Sequence, residues 1–363
     1  METKITKKSL TDIRELIIKP YFNLYDILQF DLKEKRFTMS QKVYSKEQAK
    51  SWHFSPQFMP LQIQNIIRKQ HLKCFEVSIS LDGGATFVVR LHVHKTQKSD
   101  HEIEDTMLKA LSTMVTMSRI SSCDLRNKRI ILRMFDTDIQ KFFPSVGQTI
   151  RHEHVNSAYT ESCRYSESPE VEIVIFRQEE WLKVLFHELM HTYSLDIGTD
   201  TGYIVNKLSK MFGGLECKFN LTEAYCEFWA RVIWTMISCA SSLEHQIIGL
   251  VEQQEWAIQQ AYNVLLRMNH QEKSCQETTA AFSYYVITAY LLTGFPAVFD
   301  WCSRNCNMLL DFPKTHQGTN SFLQLIDEIV HSKVIQAKWA EIVGNGREGN
   351  ISSERITSRM SYI

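Results

Sequence analysis

The sequence predicts an α+β protein in which a mixed β-sheet with one buried helix comes first and an all-helical part follows. Three observations carry this. CFEVSIS and TFVVRLHVH alternate apolar and polar residues on either side of LDGGA, the pattern of a β-hairpin over Cys74–His94. KRIILRMF and VEIVIFR are short apolar runs that read as buried strands. Beyond residue 199 the apolar periodicity is helical, in segments near Leu221–Ala240, Ser242–Met268, Glu277–Thr293, Pro296–Leu310 and Ser321–Ala340.

Taken in order, residues 1–70 form an N-terminal helical region, with helices expected near Leu10–Ile18 and Lys46–Arg68. Residues 71–198 carry the sheet. Within them Asp100–Ile120 reads as a helix, because acids open it and Arg119 closes it, which suits the helix dipole. Residues Pro144–Pro169 are polar and irregular and read as a long loop. Residues 199–343 make the helical lobe. The stretch 344–363 is rich in Gly, Ser, Arg and Asn and is expected to be a flexible tail.

Composition narrows the function. The formal net charge is zero, so there is no global pull toward nucleic acid or an anionic membrane. No basic stripe interleaved with aromatics appears either. The first residues, METKITKKSLTD, lack the apolar core of a secretory signal. The apolar runs Trp229–Ala240 and Tyr284–Phe299 are interrupted by Arg231, and by Gly294 and Pro296, and fall short of a membrane span. Nine scattered cysteines, an odd number, predict reduced thiols and a cytoplasmic location. Cys302 and Cys306 form a C-x3-C pair with no second half of a metal site in view.

The chemistry concentrates in WLKVLFHELMHTYSLDIG, Trp181–Gly198. Leu182, Leu185, Phe186, Leu189 and Met190 give it an apolar stripe, yet His187, Glu188 and His191 interrupt that stripe. Burying an uncompensated polar group costs roughly 2–7 kcal/mol, so something must compensate. The spacing is H-E-x-x-H. On a helix, positions i and i+4 face the same way, so both imidazoles can reach one Zn2+. Glu188 is then placed to take a proton from the attacking water rather than to bind the metal.

Such a site needs a third protein ligand. A histidine six residues after His191 is absent, since that position is Ile197. Asp196 and Asp200, in DIGTDTGY, are one option. Glu223, in NLTEAYCEFWAR, is another: it stands 32 positions after His191 on an amphipathic helix, with Glu227 one turn further on. Two other histidine groups read as ordinary side chains: His92 and His94 on an exposed strand face, and His152-Glu153-His154 in the polar loop.

On these residues the chain resembles a zincin metallopeptidase of the gluzincin kind, with HELMH and EAYCE standing for H-E-x-x-H and E-A-x-x-[DE]. The resemblance implies one zinc per chain held by His187, His191 and Glu223. It implies that Glu227 holds the far nitrogen of the first histidine, as a ligating imidazole requires. It also implies that the strand before the motif helix, VEIVIFR, lies at the sheet edge and takes substrate as an added strand. An oxyanion donor is expected from the second lobe, Tyr284 or Tyr285 first, with Tyr290 and Tyr159 as further candidates. One departure is Thr222, where thermolysin-type members have Asn. His154–Gly198 and EAYCEFWA are also similar to uncharacterised H-E-x-x-H proteins of large DNA viruses. The expected function is a zinc-dependent metallohydrolase, a peptidase with Glu188 as general base, acting on a peptide or protein. The alternative is a catalytically silent zincin-fold scaffold or binding protein, such as a viral structural component.

Overall fold

Strand pairing starts from the predicted hairpin. Leu72–Ser80 (β2) and Thr86–His94 (β3) pair antiparallel in register from Leu72–His94 to Ser80–Thr86. A computed structural model describes residues 7–348 and 356–362, except 71, 95–97, 122, 165, 199–201 and 269–272. Around the hairpin it builds one six-stranded mixed sheet in the order β1-β2-β3-β4-β6-β5. The remaining strands are Ser40–Tyr44 (β1), Arg129–Phe135 (β4), Ala158–Thr160 (β5) and Glu170–Ile175 (β6). β3, β4 and β6 run parallel, and β5 closes the edge antiparallel to β6. The fold is therefore α+β.

The chain divides into two compact units. The sheet unit comprises Glu15–Gln140 and Asn156–Leu195, and the helical unit comprises Met1–Arg14, Lys141–Val155 and Asp196–Ile363. These boundaries differ from a linear division at residues 70, 198 and 343. Segments far apart in sequence pair within each unit, as where Phe143 N donates to Ile356 O.

In the sheet unit, the helix Asp100–Ser118 connects β3 to β4. Ser99 and Glu102 form a reciprocal capping box at its start, which satisfies two otherwise unpaired N–H groups. This helix and the helix Trp181–Thr192 pack on each other and on the sheet. Along β6 and the residue after it, Val174 and Phe176 point to the opposite face, into a core with Phe54, Met59, Ile63, Ile67, Leu72 and Phe135.

Several expectations change here. VEIVIFR is not an edge strand, because the three residues of β5 cover it; the edge is β5. The helix expected over Lys46–Arg68 is two, Lys46–Lys50 and Leu61–Lys69, because Pro60 cannot continue a helix from the intervening loop. The segment between them lays Trp52 and Phe54 over the strand face that was expected to be exposed. His92 is consequently buried, stacked on Phe135 with ring centroids 4.7 Å apart. The side chain of His94 lies outside the described residues.

In the helical unit, Leu221–Ser238 and Leu243–Leu265 begin with side-chain caps from Asn220 and Ser242. The expected tail does not extend from Gly344. A helix runs over Lys333–Glu348, and further on Ser358, Met360 and Ser361 are buried. Among the described residues no single helix is long and apolar enough to cross a membrane. Ser283–Thr293 and Phe295–Asn305 meet that test only as a pair, bent by 89°. The cysteines are not all reduced: Cys123–Cys163 and Cys217–Cys275 are disulfides.

Candidate metal centre

The motif helix Trp181–Thr192 is held at both ends by residues in left-handed backbone, Glu180 at φ 58° before it and Ser194 at φ 52° after it. At the C-terminal end Leu195 N reaches back to Met190 O at 2.9 Å, the wrapped closure normally made with glycine at the position of Ser194. The side chain of Ser194 is part of the reason that it stands there: its hydroxyl meets that of Ser162 at 2.8 Å. Thr192 likewise meets Thr160 at 2.8 Å, and Cys163 N donates to Thr192 O. Cys163 is in turn bonded to Cys123. The turn of helix that carries His191 is thus tied to the segment just after β5.

Within this frame His187 and His191 present their Nε2 atoms to each other at 3.2 Å. Their rings lie 5.0 Å apart at 67°. His187 and Glu188 are buried and His191 is half-buried, so the pair opens through His191. The spacing fits a metal. A tetrahedral zinc with Zn–N bonds of about 2.0–2.1 Å sets two nitrogens about 3.3 Å apart.

Glu223 sits in the first turn of Leu221–Ser238, its N–H capped by Asn220 Oδ1 at 3.1 Å. The helix is apolar on almost every side, as in a core helix, and Glu223 is the one residue of its first three turns that is not buried. Thr222 donates its hydroxyl to Gly198 O. Ligand atoms of His187, His191 and Glu223 lie within 4.8 Å of one another, so this group can hold a metal ion. His191, Asp196 and Cys226 form another such group. Asp200 lies outside the described residues, and among the described residues His152, Glu153 and His154 belong to no such group.

Glu227 is buried and accepts from Arg231 Nε at 2.7 Å, and Arg231 Nη2 donates to Tyr284 O at 3.0 Å. Sequence reasoning missed Arg231 in this role, although E-x3-R at helical spacing is a signal for an i,i+4 ion pair. Tyr284 is half-buried. Tyr285 is fully buried, and its hydroxyl proton goes to Ser358 O at 2.7 Å. Tyr290 stacks on Trp339 at 4.2 Å, and Tyr159 stacks on Phe58 at 5.8 Å.

No known protein family, no curated protein and no solved structure matches the chain.

Proposed function

We propose that the chain is a zinc-dependent hydrolase of the zincin type that cleaves peptide bonds. The observation that carries this reading is the pair of histidine nitrogens, aimed at one point from successive helical turns at the separation a tetrahedral zinc requires, with a glutamate directly after the first. His187, His191 and Glu223 would hold the ion, one per chain. When bound, zinc polarises a carbonyl and makes water a competent nucleophile near neutral pH.

Glu188 is the general base in this reading. It takes the proton of the attacking water and passes it to the leaving amine as the carbon–nitrogen bond breaks. Tyr284, half-buried, stands ahead of the fully buried Tyr285 as the oxyanion donor in this reading. The segment to bind an extended substrate is β5, because among the described residues no strand pairs with its outer edge. Glu227, oriented by Arg231, would hold the far nitrogen of His187.

A second reading is a zinc-stabilised scaffold or binding protein without turnover. The grouping of Asp196 and Cys226 with His191 supports it, since such ligands could close the position that catalysis keeps open. The deciding experiment is metal analysis and peptide-library hydrolysis on wild type and Glu188→Gln. Zinc in both with cleavage in wild type alone supports the hydrolase. Zinc in both and cleavage in neither supports the scaffold.

A further inference from the structure

Cys302 and Cys306 have no part in the chemistry above, yet their surroundings are specific. Cys302 is fully buried in the helix Phe295–Asn305, and Cys306 is its partly exposed C-cap. Cys306 N donates to Cys302 O at 2.8 Å, so the helical turn between them is complete. Helix geometry then puts their Cα atoms about 6 Å apart, within the disulfide range of about 4.4–6.8 Å. Both sulfurs sit on one hydroxyl: Tyr225 Oη is 4.0 Å from Cys302 Sγ and 3.6 Å from Cys306 Sγ. That hydroxyl also donates to Leu310 O at 2.9 Å, which fixes it in place.

We propose that Cys306 and Cys302 are a redox-active thiol pair, in which Cys306 is the residue modified by small disulfides and Cys302 resolves it. The exposed thiol is the better nucleophile. The hydrogen bond from the Cys302 thiol holds Cys306 below the usual cysteine range against its own partial burial, whereas burial pushes Cys302 well up. The Cys306 thiolate attacks one sulfur of a low-molecular-weight disulfide, forming a mixed disulfide and expelling one small thiolate. Cys302 then loses its proton and attacks the Cys306 sulfur, and the second small thiolate leaves. Two protein thiols are oxidised, one small disulfide is reduced to two thiols, and the two cysteine protons end on those thiols.

The test is incubation of the full chain with glutathione disulfide, acid quench, alkylation and peptide mapping by mass spectrometry. The expected product in wild type is the Cys302–Cys306 disulfide, with Cys74, Cys226 and Cys239 still alkylated. Cys302→Ser should stop at a stable mixed disulfide on Cys306. In wild type Cys306 should react at least roughly tenfold faster than Cys239, the other partly exposed free thiol, in line with its greater thiolate fraction. Cys239 reacting as fast as Cys306, or Cys306 remaining a mixed disulfide in wild type, overturns the proposal. Both readings come from wild type, so they stand even if the variant does not fold.

Discussion

Arg231 and Glu227 form an ion pair one helical turn apart, Nε to Oε1 at 2.7 Å, with side chains 0% and 1% exposed. The pair lies on the helix that carries Glu223, and the guanidinium also reaches the backbone of Tyr284. Two charges in the core of a helix otherwise filled by Phe228, Trp229 and Ile233 are costly alone and tolerable together. Glu227→Ala should therefore destabilise the protein by about 3–5 kcal/mol, because it leaves Arg231 buried without its counter-ion. Replacing both with leucine should cost clearly less. Denaturant midpoints of the single and double variants check this. Equal losses would mean that the pair contributes packing rather than charge compensation.

Glu223→Ala should weaken or abolish zinc binding, read as metal per chain by elemental analysis after purification without chelators. His191→Ala should do the same. An unchanged zinc content in Glu223→Ala would move the third ligand to Asp196 or Cys226.

Glu188→Gln should keep its zinc and lose hydrolysis by about 10²–10⁴-fold, the usual contribution of general acid–base catalysis. The check is a cleavage assay with a substrate taken from the library screen. Full activity in that variant would remove Glu188 from the mechanism.

His92 supplies a pH dependence. Burial first, then the charges of Arg133 and Arg90, push its pKa down to about 3. Below about pH 6.5 the unfolded chain binds a proton that the folded chain refuses, so stability falls with acidification and levels off only below about pH 3. The limiting slope is about 1.4 kcal/mol per pH unit. His92→Phe should remove that slope from the difference between unfolding curves. An identical pH profile in the variant would show that His92 does not stay neutral.

The disulfide Cys123–Cys163 spans 40 residues, and chain entropy assigns such a loop about 4 kcal/mol. Cys163→Ser should lower stability by up to that amount. Because Cys163 N holds Thr192 O, the variant should also loosen the last turn of the motif helix. Hydrogen exchange at residues 190–195 measures the loosening, and unchanged protection there would uncouple the disulfide from the helix.

The motif helix, the hairpin, the helix at residue 100 and the helix that carries Glu223 were legible because each is a local pattern. Periodicity, capping residues and i,i+4 spacing act within a turn or two, and the facing of His187 and His191 follows from helix geometry alone. The three residues of β5 were not legible: Ala158–Thr160 is too short for a periodic signal, yet it displaces VEIVIFR from the sheet edge. Nor was the burial of His92, which depends on Trp52 packing on it from 40 residues earlier in the chain, or the hydrogen bond of the Tyr285 hydroxyl to Ser358 O. By itself the sequence determined which side chains share a helical turn, and so the character of the site. Only the tertiary structure decided which strand is the edge, which polar groups are sealed and which cysteines meet. Those outcomes rest on contacts that close long loops, and the entropy of closure is repaid by burial that no local segment encodes.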